Sequence, residues 1–289
     1  MKPVLGILVI VALSGALSVA GSQGSAIVIG LPLFFICACV GFILHWLVFL
    51  PSFALQTEHY FDLTGALSYI CTVILALSLH PSMSTQGIII CLMVALWAAR
   101  LGSFLFLRVK KAGKDRRFNE LKTRFWRYLF TWTVGGAWVF VTMAAALAAA
   151  TSMQQVEIGA LFFLGGALWI IGFAIEIIAD RQKTQFRNEP ANSDMFITSG
   201  LWRYSRHPNY FGEIVLWTGI AVMALPVLSG WQLATLISPV FVYLLITRVS
   251  GIPMLEKSAK ERWGSDPNYQ HYVATTACLW PQPPKSSAR

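Results

Sequence analysis

The sequence predicts an all-α fold: a polytopic membrane bundle of about eight transmembrane helices, an N-terminal one followed by a seven-helix core. Three observations predict it. The 289 residues are 56% hydrophobic and only 12% charged, where a soluble domain carries about 25% charged residues. Apolar runs of about 20 residues, the length that crosses a bilayer, recur from end to end. The basic residues are confined almost entirely to alternate loops, as orientation in a membrane demands. Helices are required because hydrocarbon cannot satisfy open backbone groups.

The spans read in order as 3–20, 26–50, 63–80, 87–107, 128–150, 158–179, 211–228 and 231–247. The first ends at Ser18-Val19-Ala20, which imitates a signal-peptide cleavage site. Its apolar stretch is long for such a signal, so an uncleaved helix is expected. Between the spans, the loops GSQGS, PSMSTQ, TSMQQVE and SGWQ contain no Lys or Arg. The other loops and the two terminal segments hold the basic residues, Arg100 within a span excepted. The segment 108–127 is dense in Lys and Arg, with Asp115 and Glu120 as its only acids. The positive-inside rule therefore places both termini of this integral membrane protein in the cytoplasm. The net charge of +9 is accounted for by these loops and by lipid headgroups, with no need for nucleic acid. Residues 1–50 read as N-terminal helices, 51–282 as the functional membrane domain, and 283–289 as a disordered tail. None of the five cysteines has zinc-type spacing with histidine, so neither a metal site nor a disulfide is expected.

Several polar residues are not explained by topology. In span six, Glu176 and Asp180 are one helical turn apart, and Lys183 and Arg187 continue the same row. Glu176 lies within apolar sequence, and an intramembrane carboxylate is a candidate functional group. Next comes RYSRHPNYFGE. His207-Pro208 breaks any helix, so Asn209 falls near a helix N-terminus, where free N–H groups favour an anion. Arg203, Arg206, Tyr204 and Tyr210 surround it, and Glu213 follows on the Asn209 face. After the last span, a helix over 254–263 would place Glu256, Lys260 and Trp263 along one face. Three segments thus gather Arg, Asn, Glu and aromatics beside a membrane bundle, as a pocket for a large anionic cofactor and a lipid-borne substrate would.

QKTQFRNEP followed by SGLWRYSRHPNYFGE resembles the sterol C14- and C7-type reductases. It also resembles the C-terminal domain of the steroid 5α-reductases. The closest resemblance is to bacterial membrane proteins that share this domain, with TEHYFDLTG, RVSGIP and RWGSDPNYQHY matching too. The resemblance covers about residues 50–282 and implies that the core is reductase-like and binds NADPH on its cytoplasmic side. It implies that Lys183 and Arg187 meet the cofactor phosphates. It likewise implies that Asp180, Tyr204, Arg206, His207, Asn209, Tyr210, Glu213 and Glu256 line the cofactor site. There are departures: apolar VSGIPML before Glu256, Trp263 in place of a Tyr, Gln56-Thr57-Glu58 in place of adjacent Gln-Glu, and Trp97 near Arg100 in place of a Tyr.

The function expected from this resemblance is NADPH-dependent reduction of a carbon–carbon double bond in a steroid-like or isoprenoid lipid entering from the bilayer. In an enone, charge builds on the carbonyl oxygen, and a donor aimed there lowers the barrier. Glu58, held protonated by burial, is the candidate, with Gln56 beside it and Tyr60 and Asp62 as alternatives. Two other readings stay open. Isoprenylcysteine carboxyl methyltransferases share Arg-His-Pro and a Glu-bearing tail but bind S-adenosylmethionine. A lipid-binding membrane protein without chemistry is the third. Oligomeric state is not legible.

Overall fold

The computed structural model describes residues 2–112, 118 and 120–284, the side chains of 108–112 excepted. Much of the basic 108–127 run and the end of the tail lie outside the described residues. Among the described residues, eight helices are long and apolar enough to cross a membrane. The protein is an all-α polytopic bundle, and it divides into two compact units: 1–162 with 221–238, and 163–220 with 239–289.

The first unit holds α1 (Lys2–Gly21), α2 (Leu33–Ala54), α3 (Phe61–Leu79), α4 (Thr85–Ala112) and α5 (Phe125–Thr151). Helix α5 is its axis and packs against each of the other four. The run Ala144-Ala145-Ala146-Leu147-Ala148-Ala149-Ala150 is buried throughout. With no apolar driving force between helices in lipid, close packing of small side chains holds them together. At the crossing with α2, a Cβ on Gly136 would meet the Cα of Phe42 at 3.0 Å. Ser238 adds a polar tie, donating to Val141 O at 2.8 Å and accepting from Ala145 N at 3.2 Å.

The second span starts later than expected. Residues 26–32 are not helical but form a small antiparallel hairpin, β1 (Ile27–Val28) and β2 (Leu31–Pro32). Gly30 takes a positive φ of +80° at its turn, and Pro32 precedes the first helical residue, which suits a ring that fixes φ and lacks an N–H. The loops that lack Lys and Arg are knitted together here. Ala26 N donates to Thr151 O at 2.8 Å, Met153 N to Gly24 O at 2.9 Å and Trp231 N to Gln23 Oε1 at 2.6 Å.

The second unit is built on α6 (Ala160–Asn188) and α7 (Pro208–Ala224), with α8 (Ile237–Leu244), α9 (Gly251–Trp263) and α10 (Pro267–Thr275). Helices α6 and α7 touch backbone to backbone. A Cβ on Gly172 would lie 2.5 Å from Gly212 O, one on Gly212 2.5 Å from Gly172 O, and one on Gly219 2.5 Å from Gly165 O. The glycines sit seven apart on each helix, so one stripe of each faces the other along two turns. Both helices run further than their apolar sequence: α6 continues through the charged 180–188 segment, and α7 begins at Pro208 rather than 211. The last span opens as a 3-10 helix, Gly230–Leu236, and ends in a π-helical stretch, Leu245–Val249. Helix α10 was not expected from sequence. Its cap is nevertheless legible: Asp266 accepts from Asn268 N at 2.8 Å and Pro267 occupies the first turn.

Candidate functional site

One polar cluster lies wholly within the second unit. Helix α6 sets its first row. Glu176 is 3% and Asp180 6% exposed, burial made possible by the glycine contact, which brings α7 against their turn. Asp180 accepts from Asn209 Nδ2 at 3.2 Å. The expected N-terminal asparagine of α7 is therefore in place, with its amide directed at a carboxylate rather than capping its own helix. One turn on, the Lys183 ammonium lies 4.3 Å over the Trp202 ring. That ring is fixed at its other edge by Nε1 donating to Ala179 O at 3.1 Å. Arg187 follows on the exposed end of α6.

The turn before α7 supplies the second row. Gly200 has φ +62°, and a Cβ there would run into the Gln182 amide, which accepts from Leu201 N at 2.9 Å. Glycine is needed at this position on both counts. Past the turn, His207 Nε2 lies 2.7 Å from Glu256 Oε1 and Arg206 Nη1 3.1 Å from Glu256 Oε2. The Tyr210 ring stacks on His207 with centroids 5.8 Å apart. Burial pushes His207 below its ordinary pKa, and the Glu256 contact pulls the other way without overcoming it. Three buried polar atoms here make no hydrogen bond, His207 Nδ1, Arg206 Nε and Arg206 Nη1, the last of them only ion-paired with Glu256. Glu213 lies half-buried one turn into α7. The Tyr204 ring is 43% exposed, and this residue joins the site through its carbonyl, which accepts from Gln282 N at 3.0 Å.

That last contact belongs to a feature the sequence did not reveal. Residues 277–282 are strapped to the turn: Arg206 N donates to Ala277 O at 2.9 Å, and Ser205 Oγ to Leu279 O at 2.8 Å. The strap carries Cys278 to the cluster, so that ligating atoms of His207, Glu256 and Cys278 all lie within 4.8 Å of one another. The chain separation, 71 residues from His207, hid this from any spacing rule. Tyr272 was missed as well. Its hydroxyl donates to Trp202 O at 2.6 Å, and burial raises its pKa.

The residues expected at the substrate end belong to the first unit, in the loop between α2 and α3. Glu58 is 4% exposed, and its carboxylate takes the Lys122 ammonium at 2.7 Å. An ammonium at that distance is the partner of a carboxylate, not of the neutral acid expected from sequence. Gln56 does not stand beside it as expected: it is exposed, has φ +51° and donates its amide to Phe53 O at 2.7 Å. Tyr60 is 52% exposed. The loop itself is pinned by Tyr128 Oη donating to Thr57 O at 2.6 Å above an aromatic cluster of Phe49, Phe118 and Trp132. Arg100 lies 5.4 Å from the Phe104 ring centroid.

Comparison with known proteins identifies the family. The family model described as "Protein of unknown function (DUF1295)" matches residues 48–276. The 3-oxo-5-alpha-steroid 4-dehydrogenase 1 of Bos taurus is 36% identical over 73 residues, 25% of this chain and 28% of the relative. That of Mus musculus is 32% identical over 80 residues, 28% and 29% of the two chains. That of Rattus norvegicus is 33% identical over 88 residues, 30% and 32%. The chain thus spans less than a third of the length of these curated relatives. No solved structure matches it. On a match that covers most of its length, the chain belongs to the DUF1295 family, which is steroid 5α-reductase-like.

Proposed function

We propose that the protein is an NADPH-dependent oxidoreductase that reduces a carbon–carbon double bond in a steroid-like or isoprenoid lipid taken from the bilayer. The observation that carries this reading is the cluster of Asp180–Asn209 and Arg206–His207–Glu256, with Lys183 close enough to act on His207, Arg187 further along α6 and Arg203 in the turn before α7. The likeness to named 3-oxo-5-alpha-steroid 4-dehydrogenases supports it. NADPH, when bound, supplies the hydride.

The residues present fit such a cofactor. Four cations in one short stretch of structure suit a ligand with several phosphate charges. The buried Arg206 Nε still has a hydrogen to donate. S-adenosylmethionine carries its own positive charge and offers no phosphates, so the same set suits it less well. Lys183 and Arg187 would hold phosphate, and Asn209, Tyr210 and Glu213 would orient the dinucleotide. The chain's task at the substrate is to place a donor where negative charge develops on the carbonyl oxygen. The Glu58–Lys122 pair offers one in the Lys122 ammonium, with Glu58 positioning it. The protein would lie in a bacterial inner membrane with its basic loops in the cytoplasm.

A stability screen in detergent tests the cofactor. NADPH at 100 times its dissociation constant should add ~2.7 kcal/mol, with NADH weaker and S-adenosylmethionine without effect. NADPH oxidation should then require a lipophilic enone such as a 3-keto-Δ4 steroid. Stabilisation by S-adenosylmethionine but not NADPH overturns the reductase reading in favour of a methyltransferase.

A further inference from the structure

We propose that the cleft between the end of the last span and the 277–282 strap binds the phosphate of an anionic phospholipid headgroup, with Arg248 as the charge that holds it. The cleft lies wholly within the second unit and encloses about 340 Å³. Two segments line it: Tyr243, Thr247, Arg248 and Ile252 from one, residues 277–280 and Gln282 from the other.

The π-helical stretch shapes the first segment. Ser250 N donates to Leu245 O at 2.9 Å, five residues back. In an α-helix a residue five positions on is turned away by about 140°. Pairing at the wider spacing enlarges the turn, so that residues four and five positions on share a face. Thr247 and Arg248 accordingly line the same cleft as Tyr243. The strap is the fixed side. Ser205 Oγ donates to Leu279 O at 2.8 Å, Gln282 N to Tyr204 O at 3.0 Å, and the Trp280 ring packs edge-on against Phe211 with centroids 5.6 Å apart.

The donors decide what the cleft takes. Arg248, Tyr243, Trp280 and Gln282 each bring a side-chain donor, and none of these finds an acceptor among the described residues. The Thr247 hydroxyl is already given to Tyr243 O at 2.6 Å. Among the described residues no carboxylate lines the cleft. Glu256, near the Cys278 sulfur, is taken by Arg206 at 3.1 Å and His207 at 2.7 Å. A cation without an acid, beside several uncommitted donors, is complementary to an oxyanion with several acceptor oxygens. The rim selects the source of that oxyanion. Leu244, Val249 and Trp280 are exposed at the end of a membrane helix. A free inorganic anion gains nothing from an apolar border. A phospholipid lays its acyl chains along it and brings its phosphate to the level of an interfacial Trp and Arg.

The test uses full-length protein stripped of lipid in detergent and reads bound lipid by native mass spectrometry. The probes are palmitoyl-oleoyl phosphatidylglycerol, the phosphatidylcholine with the same chains, and inorganic phosphate. Phosphatidylglycerol should bind roughly tenfold more tightly than phosphatidylcholine, whose choline cation offsets the pull of Arg248. Arg248→Gln should bring phosphatidylglycerol down to the phosphatidylcholine level. Its lipid-free melting temperature should not change, because Arg248 gives up no protein partner. Lys257→Gln, which removes an exposed cation of α9 outside the cleft, should leave binding as it was. Equal binding of the two lipids overturns the proposal, and that comparison needs no variant to fold. An equal loss in Lys257→Gln overturns it in favour of diffuse surface charge. Displacement of the lipid by millimolar inorganic phosphate overturns it in favour of a free-anion site, and displacement by NADPH in favour of an extension of the dinucleotide site. The inference does not rest on the cofactor. A protein that selects phosphatidylglycerol but does not bind NADPH loses only the reductase reading, and one that binds NADPH without selecting phosphatidylglycerol loses only this inference.

Discussion

Asn209 and Glu58 engage charged partners in different units, so substitutions at the two should separate binding from chemistry. Asn209→Ala removes the amide that meets Asp180 at 3.2 Å, and should weaken NADPH first. Glu58→Gln keeps the shape but releases Lys122, and should slow turnover more than tenfold with NADPH affinity nearly intact. Equal loss of NADPH in both variants would rule out separate roles. Arg187, exposed at the end of α6, is the simplest phosphate contact to test. Arg187→Ala should cost about 1.5–3 kcal/mol of NADPH binding, roughly ten- to a hundredfold in Kd, with folding unaffected. His207 sets a pH dependence. Its folded pKa lies below the ordinary histidine value, so its stabilising contribution is complete above about pH 6.5 and is lost as pH falls through the folded value. The melting temperature should therefore drop on acidification from pH 7 to pH 5, and less steeply in His207→Gln. At this scale the sequence revealed which residues are chemically out of place in a membrane, because a buried Glu176 or Asp180 has few bland explanations. It could not reveal partners set by long loops: Cys278 beside His207, and Lys122 on Glu58, depend on chain paths that no local pattern encodes.

Among elements, the glycine stripe between α6 and α7 holds the site residues in register. Gly172 and Gly212 let the helices approach until a Cβ would sit 2.5 Å from the opposite backbone, and Asp180 and Asn209 lie two turns and one turn beyond that contact, respectively. Backbone cannot yield as a flexible side chain can, so Gly172→Leu should destabilise the protein by at least ~2–3 kcal/mol. Residual folded protein should also bind NADPH more weakly, since the Asp180–Asn209 pair would be pushed apart. Gly166 is the control: a Cβ there meets nothing within 4 Å. Gly166→Ala should leave the melting temperature unchanged or raise it, by helix propensity alone. A melting temperature for Gly172→Leu equal to that of Gly166→Ala would remove the stripe from the argument. Helix existence was legible at this scale because twenty apolar residues have one stable conformation in lipid. Helix ends were less so. Apolarity marks where the membrane stops, whereas α6 continues to Asn188 through charged sequence whose backbone bonds do not depend on lipid. The 26–32 hairpin failed for the converse reason: Ala26–Pro32 is apolar enough to read as span, but Gly30 and Pro32 spoil its helix.

At the scale of the whole molecule, the distribution of charge predicts orientation. The loops 21–25, 80–84 and 152–159 together with 228–233 are free of Lys and Arg, and they are joined by backbone bonds such as Met153 N to Gly24 O at 2.9 Å. They form one face of the first unit. A face without cations is the one most readily carried across a membrane, because each Lys or Arg retained near a span end favours the cytoplasm. Helix α1 is bound into this unit through α5, so its polarity is tied to that of the rest. Single-cysteine labelling in right-side-out and inverted vesicles checks the assignment, in a background from which the five native cysteines are removed. Cysteine at Ser82 or Gln155 should react with a membrane-impermeant maleimide only from the outer face, and cysteine at Ser193 or Ser258 only from the cytoplasmic face. An even number of spans requires the two ends to agree, so cysteine at Lys2 and at Gln282 should label from the same side as Ser193. Labelling of Ser82 from the cytoplasmic side would invert the molecule and put Arg187 and Arg206 on the face away from cytoplasmic NADPH. That outcome would remove the proposed cofactor along with the orientation, whereas the expected one places both where a soluble dinucleotide can reach them.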